Sequence, residues 1–240
     1  MPSSITQSLQ VAHSSMLPVT KHALKDASPK EAAQYGLRAA NGVARSPLVN
    51  QLLGCTDEDT RRARLDVLQS AKLISTHGDT PLPLNRCTST HVEDLVRHAQ
   101  QSSVGNCMEL CLVAASAIVR AGYPWPVSLI AVTGTVPDAL LDHCLIRVGA
   151  PDEEEYVIVD PLAEKIPYFL QVEETGREGP SIYEEPTYAS NMLIIAHTQQ
   201  GVRLLRHADC PNAEMHHVGT LQYAHEGPFA GRLQFEPQPA

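Results

Sequence analysis

The spacing of apolar residues changes character near residue 125. Before it, apolar positions recur every three or four residues, the period of a helix with one buried face. After it, short runs of β-branched residues alternate with Gly, Pro and Asp, the texture of strands and turns. "SPKEAAQYGLRAANGVAR" predicts a helix with Ser28 as N-cap, Pro29 at the first helical position and Glu31 completing a capping box. "TDEDTRRARLDVLQSAKLI" predicts a second, with Thr56 before an acidic first turn and Leu65, Leu68 and Leu73 near helical spacing. "STHGDTPLPLN" follows as a Pro/Gly loop. "TSTHVEDLVRHAQQ" predicts a third helix capped by Thr90 and Glu93. The fourth covers roughly 107 to 121 and is apolar almost all round, so it belongs inside.

The strand candidates are "VSLIAVTG", "HCLIRV", "YVIVD" and "NMLIIAH", with weaker ones at "VRLLRH", "HHVGTLQYA" and "GRLQFE". Helices first and strands second predict an α+β domain, with N-terminal helices packed on an antiparallel β-sheet. Residues 1–27 are small, polar and Ser-rich, and read as a flexible segment or a secretion and targeting segment. The domain proper is expected over 28–240, with its core over 104–162. Residues 161–190 are rich in Pro, Gly and Glu with little pattern. Following the Asp of "VIVDP", they read as a connecting loop or as the place where substrate choice is made.

Composition narrows the function classes. The 240-residue chain carries a net charge of -9, which speaks against a nucleic-acid partner. It holds no apolar run long enough to span a membrane. Aromatic residues make up only 5%, with a single Trp, so the core must rest on Leu, Val, Ile and Ala. Six cysteines occur in a chain whose start lacks the apolar stretch of a secretory signal peptide. Reduced thiols are therefore expected rather than a disulfide framework.

One of those thiols stands out. In "SSVGNCMELC", Asn106 is a good N-cap and Glu109 lies three residues on, so Cys107 is predicted at the first helical position. Unpaired backbone N–H groups and the positive end of the helix dipole meet there. Both favour thiolate, the reactive form. The same N–H groups suit a developing oxyanion. Side-chain oxyanion donors are sought upstream among Gln100, Gln101, Ser103 and Asn106, with Gln101 first because Asn106 is engaged in capping.

A base is expected at His143. "LDHCLIRVG" and "EEYVIVDP" read as the two strands of a hairpin around "GAPDEE". Placing His143 opposite Asp160 centres the turn between Pro151 and Asp152 and sets Leu145 opposite Ile158 on the same face. Asp160 then orients the imidazole so that its other nitrogen meets the thiol. Taken singly, each residue has a plainer reading: a core Cys, a structural His, a strand-ending Asp. Their order along these elements favours the Cys107, His143 and Asp160 triad.

The run "GNCMELCLVAASAIVRAGYPWPV…DHCLIRV…YVIVDP" resembles the core of the transglutaminase-like superfamily within the papain-like cysteine enzymes. The likeness covers about 60 of the 240 residues. It implies a papain-like/transglutaminase-like fold, with Cys107 as nucleophile, His143 as base and acid, and Asp160 as orienter. Met108 replaces an aromatic residue often seen there, and His143-Cys144-Leu145 stands where "His-Ala-Trp" is usual. Those departures point away from calcium-dependent, animal-type transglutaminases.

The resemblance implies thiol-dependent acyl transfer on protein carboxamides, above all glutamine deamidation by a bacterial effector delivered into a host cell by a non-classical route. The alternatives are a papain-like cysteine protease and a non-catalytic binding module with an unused triad. The expected partner is a protein substrate, a host protein in the effector reading. No cofactor and no metal are expected. Cys111 and Cys144 read as core thiols, and "HADCPNAEMHH" as a solvated loop rather than a metal cluster.

Overall fold

The computed structural model describes residues 23–45, 86–102, 104–105, 107–137, 139–149, 155–163, 182–184, 193–198 and 201–238. The helix expected over "TDEDTRRARLDVLQSAKLI", the "STHGDTPLPLN" loop, residues 1–22, Asn106 and most of 161–190 lie outside these. Three helices are described: α1 (Pro29–Ala40), α2 (Ser89–Ser102) and α3 (Cys107–Arg120). A two-residue parallel pair, β1 (Ala44–Arg45) with β2 (Val104–Gly105), sits just ahead of α3.

The main sheet holds β3 (Val127–Val136), β4 (Ala139–Gly149), β5 (Tyr156–Val159), β6 (Ile182–Glu184), β7 (Leu193–Thr198), β8 (Gly201–Arg206), β9 (Glu214–Tyr223) and β10 (Leu233–Pro237). Its order is β10-β9-β3-β4-β5-β6, with β7 also on β4 and β8 on β7. All of its pairings are antiparallel. The α+β layout and the antiparallel sheet therefore stand as the residue pattern predicts.

The central element is α3. Leu110 to Ser116, Ile118 and Val119 are all buried, so the helix has almost no solvent face. Small residues on α1 allow the close approach. A Cβ at Gly36 would lie 2.7 Å from Ile118 Cδ1 and 3.0 Å from the Ala114 carbonyl oxygen. Ala32, Ala33 and Ala40 are buried beside it. The sheet is apolar on both faces. One face joins the helices through Leu129, Cys144, Ile146, Val148, Val157 and Val159. A second cluster holds Ile130, Val132, Leu141, Leu145, Ile158 and Ile194. Double burial explains why "CLI" in β4 is a continuous apolar run rather than an alternating one. The packed body also reaches back to Leu24, whose side chain is buried and whose N–H donates to the Ala121 carbonyl.

Two capping assignments fare differently. At α1 the Ser28 N–H donates to Glu31 Oε2 at 2.9 Å and the Glu31 N–H to Ser28 Oγ at 3.3 Å, the expected reciprocal box. At α2 the cap lies two residues earlier than Thr90. Thr88 and His91 exchange the capping bonds: the Thr88 N–H donates to His91 Nδ1 and the His91 N–H to Thr88 Oγ1. Glu93 is used elsewhere. Its Oε1 accepts from the Leu233 N–H at 2.8 Å, and Ser89 Oγ accepts from the Phe235 N–H at 2.9 Å. Those alternate N–H groups belong to the outer edge of β10, so α2 covers the end of the sheet and satisfies an edge the ladder leaves open.

The "HADCPNAEMHH" stretch is also corrected. It forms a 3₁₀ turn (His207–Asp209), buries Cys210 and then enters β9, which carries His216 and His217 in the ladder with β3. Most of the stretch is exposed as expected, Glu214 and both strand histidines included, but its second half is strand rather than loop.

Replacing Glu93 by Ala is expected to lower stability by about 1–3 kcal/mol, because the partly buried Leu233 N–H loses its acceptor. Glu93→Gln, which keeps an acceptor, is expected to recover most of that loss in urea denaturation.

Candidate active site

The first turn of α3 is held from three sides. The β1–β2 pair sets Ala44 beside Val104 and Arg45 beside Gly105, fixing the chain two residues before Cys107. A Cβ at Gly105 would lie 2.9 Å from Glu109 Cβ and 3.3 Å from Val43 Cγ1, so only glycine fits without displacement. Glu109, in the first helical turn, is wholly buried. Cys107 opens the helix as predicted.

Cys107 is the only one of the five described cysteines that is not buried; Cys87, Cys111, Cys144 and Cys210 are. Burial pushes the Cys87 thiol up. Cys111 is pushed well up by burial first, then by Cys144, Cys107 and Asp160. Cys111 and Cys144 are core thiols, as expected. The Cys111 Sγ–H donates to the Cys144 carbonyl oxygen at 3.1 Å.

His143 and Asp160 meet as predicted, but in a different register. Ile146 faces Val159 and Arg147 faces Ile158, so β4 and β5 are offset by two residues from the arrangement that sets His143 opposite Asp160. Arg147, not Leu145, opposes Ile158. Asp160 lies one residue past the ladder and reaches His143 on the diagonal. His143 Nε2 donates to Asp160 Oδ2 at 2.7 Å, with both side chains 2% exposed. The contact survives because a two-residue offset preserves alternation, whereas one residue would put the pair on opposite faces. The same diagonal recurs nearer the turn, where the Arg147 guanidinium lies 4.1 Å from the centre of the Tyr156 ring.

A fork in the sheet makes room for the pair. On one edge β4 is matched to β3 from Ala139 to Arg147. On the other, β5 takes Ile146–Gly149 and β7 takes Ala139–Leu141. Among the described residues nothing pairs with 142–145 on that side, and His143 stands in the opening. The chain then turns at Pro161. Asp160 Oδ1 accepts from the N–H groups of Leu162 (3.0 Å) and Ala163 (3.2 Å). One carboxylate oxygen thus locks the turn and the other holds the imidazole, which explains why Asp precedes Pro here.

An ionised carboxylate only accepts, so Nε2 carries the proton. Nδ1 is buried, and the Cys107 thiol is the further group acting on the ring. Burial opposes charge on His143, but the Asp160 carboxylate and then Cys107 outweigh it and push the imidazole up to about 10. Gln101 is exposed in the last turn of α2, and Asn106 lies outside the described residues. No group of three or more His, Cys, Asp or Glu among the described residues is placed to hold a metal ion.

Compared with known proteins, the chain matches no family model, no curated sequence and no solved structure.

The raised His143 value has a consequence for stability. The unfolded chain releases this proton near 6.5 and the folded protein near 10. The stabilisation is complete below about 6.5 and is lost as pH climbs through 10. Urea unfolding between about pH 6 and pH 10 should show stability falling with pH, and His143→Gln should flatten that fall.

Proposed function

We propose that this protein is a cysteine-dependent acyl-transfer enzyme with Cys107 as nucleophile, His143 as acid and base, and Asp160 as orienter. The observation that carries the reading is the buried His143–Asp160 bond of 2.7 Å, beside the one described thiol that is not buried. A thiol in a first helical turn, beside an imidazole whose proton is held, is the arrangement that sustains a thiolate–imidazolium pair. The α+β order, with a buried nucleophile helix followed by the His and Asp strands, is consistent with a papain-like/transglutaminase-like domain.

The chemistry follows from the geometry. The Cys107 sulfur adds to a carboxamide carbon, and the new oxyanion is stabilised by N–H groups at the α3 N-terminus. The C–N bond then breaks as His143 passes its proton to the departing nitrogen. That releases ammonia from a glutamine side chain, or an amine from a peptide, and leaves a thioester. Water, deprotonated by the now neutral His143, attacks the thioester carbon, releases the acid and restores the thiol. Asp160 holds Nε2–H throughout, so Nδ1 is the nitrogen that exchanges protons.

Within this class we favour deamidation of glutamine on a protein substrate, on the likeness of "GNCMELC", "DHCLIRV" and "YVIVDP" to the transglutaminase-like core.

Iodoacetamide at neutral pH is expected to alkylate Cys107 faster than every other cysteine, and Asp160→Ala is expected to slow that reaction. Equal, slow labelling of all six thiols would overturn the enzyme reading. Mass spectrometry of lysate proteins treated with wild-type protein or Cys107→Ala then separates the outcomes. A Cys107-dependent gain of about 1 Da on glutamine, the exchange of NH2 for OH, means deamidase. Cys107-dependent fragments mean protease, and amine-loaded or cross-linked products mean transamidation. For the true substrate, Asp160→Asn is expected to reduce turnover by roughly 10²–10⁴-fold.

A further inference from the structure

Beneath the nucleophile lie two thiols that the proposed chemistry does not use. Cys111 sits one helical turn below Cys107, and its Sγ is 3.1 Å from the carbonyl oxygen of Cys144 on β4. The Cys144 thiol is also among the groups that hold the Cys111 thiol up, after burial. Both residues are buried in the same core. Cys111 belongs to the helix that carries the nucleophile, and Cys144 is the neighbour of His143. Whatever joins these sulfurs joins the two halves of the site.

We propose that Cys111 and Cys144 are a disulfide-forming pair that staples α3 to β4 on oxidation and leaves the Cys107 thiol outside the crosslink. The separation along the chain is 33 residues. A crosslink closing a loop of that size restricts the unfolded chain substantially, and the Cys111 sulfur already lies against the backbone of Cys144. Cys107 is the less suited partner for Cys111. Side chains four apart on one helix have Cβ atoms about 5–6 Å apart, beyond the roughly 3.5–4.5 Å of a disulfide. The inference does not depend on Cys107 being catalytic.

Diamide, an azo oxidant, supplies the test. A thiolate sulfur adds to one nitrogen of the N=N bond, the second sulfur displaces it, and both thiol protons finish on the resulting hydrazine. The thiols are oxidised to a disulfide and the azo group is reduced. Because burial holds the Cys111 thiol up, crosslinking is expected to accelerate as pH rises.

Native protein would be treated with diamide, alkylated after quenching and mapped by peptide mass spectrometry without reduction. The expected result is a Cys111–Cys144 crosslink with Cys107 alkylated. The midpoint of thermal unfolding should rise by roughly 5–15 °C, reversibly with dithiothreitol. Cys144→Ala should abolish both changes, and Cys111→Ala provides the same control from the other side. A crosslink from Cys107 to either thiol would overturn the proposal. So would a map in which Cys111 and Cys144 remain uncrosslinked after oxidation at pH values where both react with alkylating agent.

Discussion

A buried ionisable pair sets the terms for everything around it. Taking an imidazolium and a carboxylate out of water costs several kcal/mol for each ion unless partners replace the lost solvent. At His143 and Asp160 those partners are close and numerous. The two groups bond each other at 2.7 Å, and the remaining carboxylate oxygen accepts from two backbone N–H groups. The turn after β5, the fork between β5 and β7, and the first turn of α3 must all converge for that set to be complete. Loss of one member leaves a buried charge unpaired, which is far more costly than loss of a surface ion pair.

The fork is the structural answer to a packing problem. A residue in the middle of a fully paired strand has little room for a polar side chain, because neighbouring strands and both covering layers close over it. By handing its second edge from β7 to β5, β4 gains a short unpaired stretch around His143. The aspartate just past the end of β5 enters that space from one side. The helix start brings the thiol. Rigid elements therefore position all three groups, with Asp160 on a turn that its own carboxylate braces.

The same economy appears at the far end of the sheet. There, two polar side chains of α2 take the N–H groups that β10 cannot give to another strand. The helical layer thus both covers the sheet face and closes its edge. Gly36 and Gly105 are small for the same reason: helix α1 must approach α3 closely, and the chain before Cys107 must pass against Glu109.

Much of this is local and was legible along the chain. The capping box at Ser28, the start of α3 at Cys107, the strands from β3 to β5 and the pairing of His143 with Asp160 all follow from short-range rules: caps, periodicity and alternation. Alternation also protected the site prediction from a register two residues off, since an even slip keeps side chains on their face. Tertiary structure alone decided the rest. The diagonal register depends on where β5 runs out. The fork depends on β7 returning to β4, where Leu141 meets Ala196 and Ala139 meets Thr198. The use of Glu93 on β10 rather than as a cap depends on a contact 140 residues distant. The meeting of Cys111 with Cys144 depends on how α3 lies across the sheet. None of these leaves a periodic or local mark, because each is set by the packing of elements that are neighbours only in the folded chain.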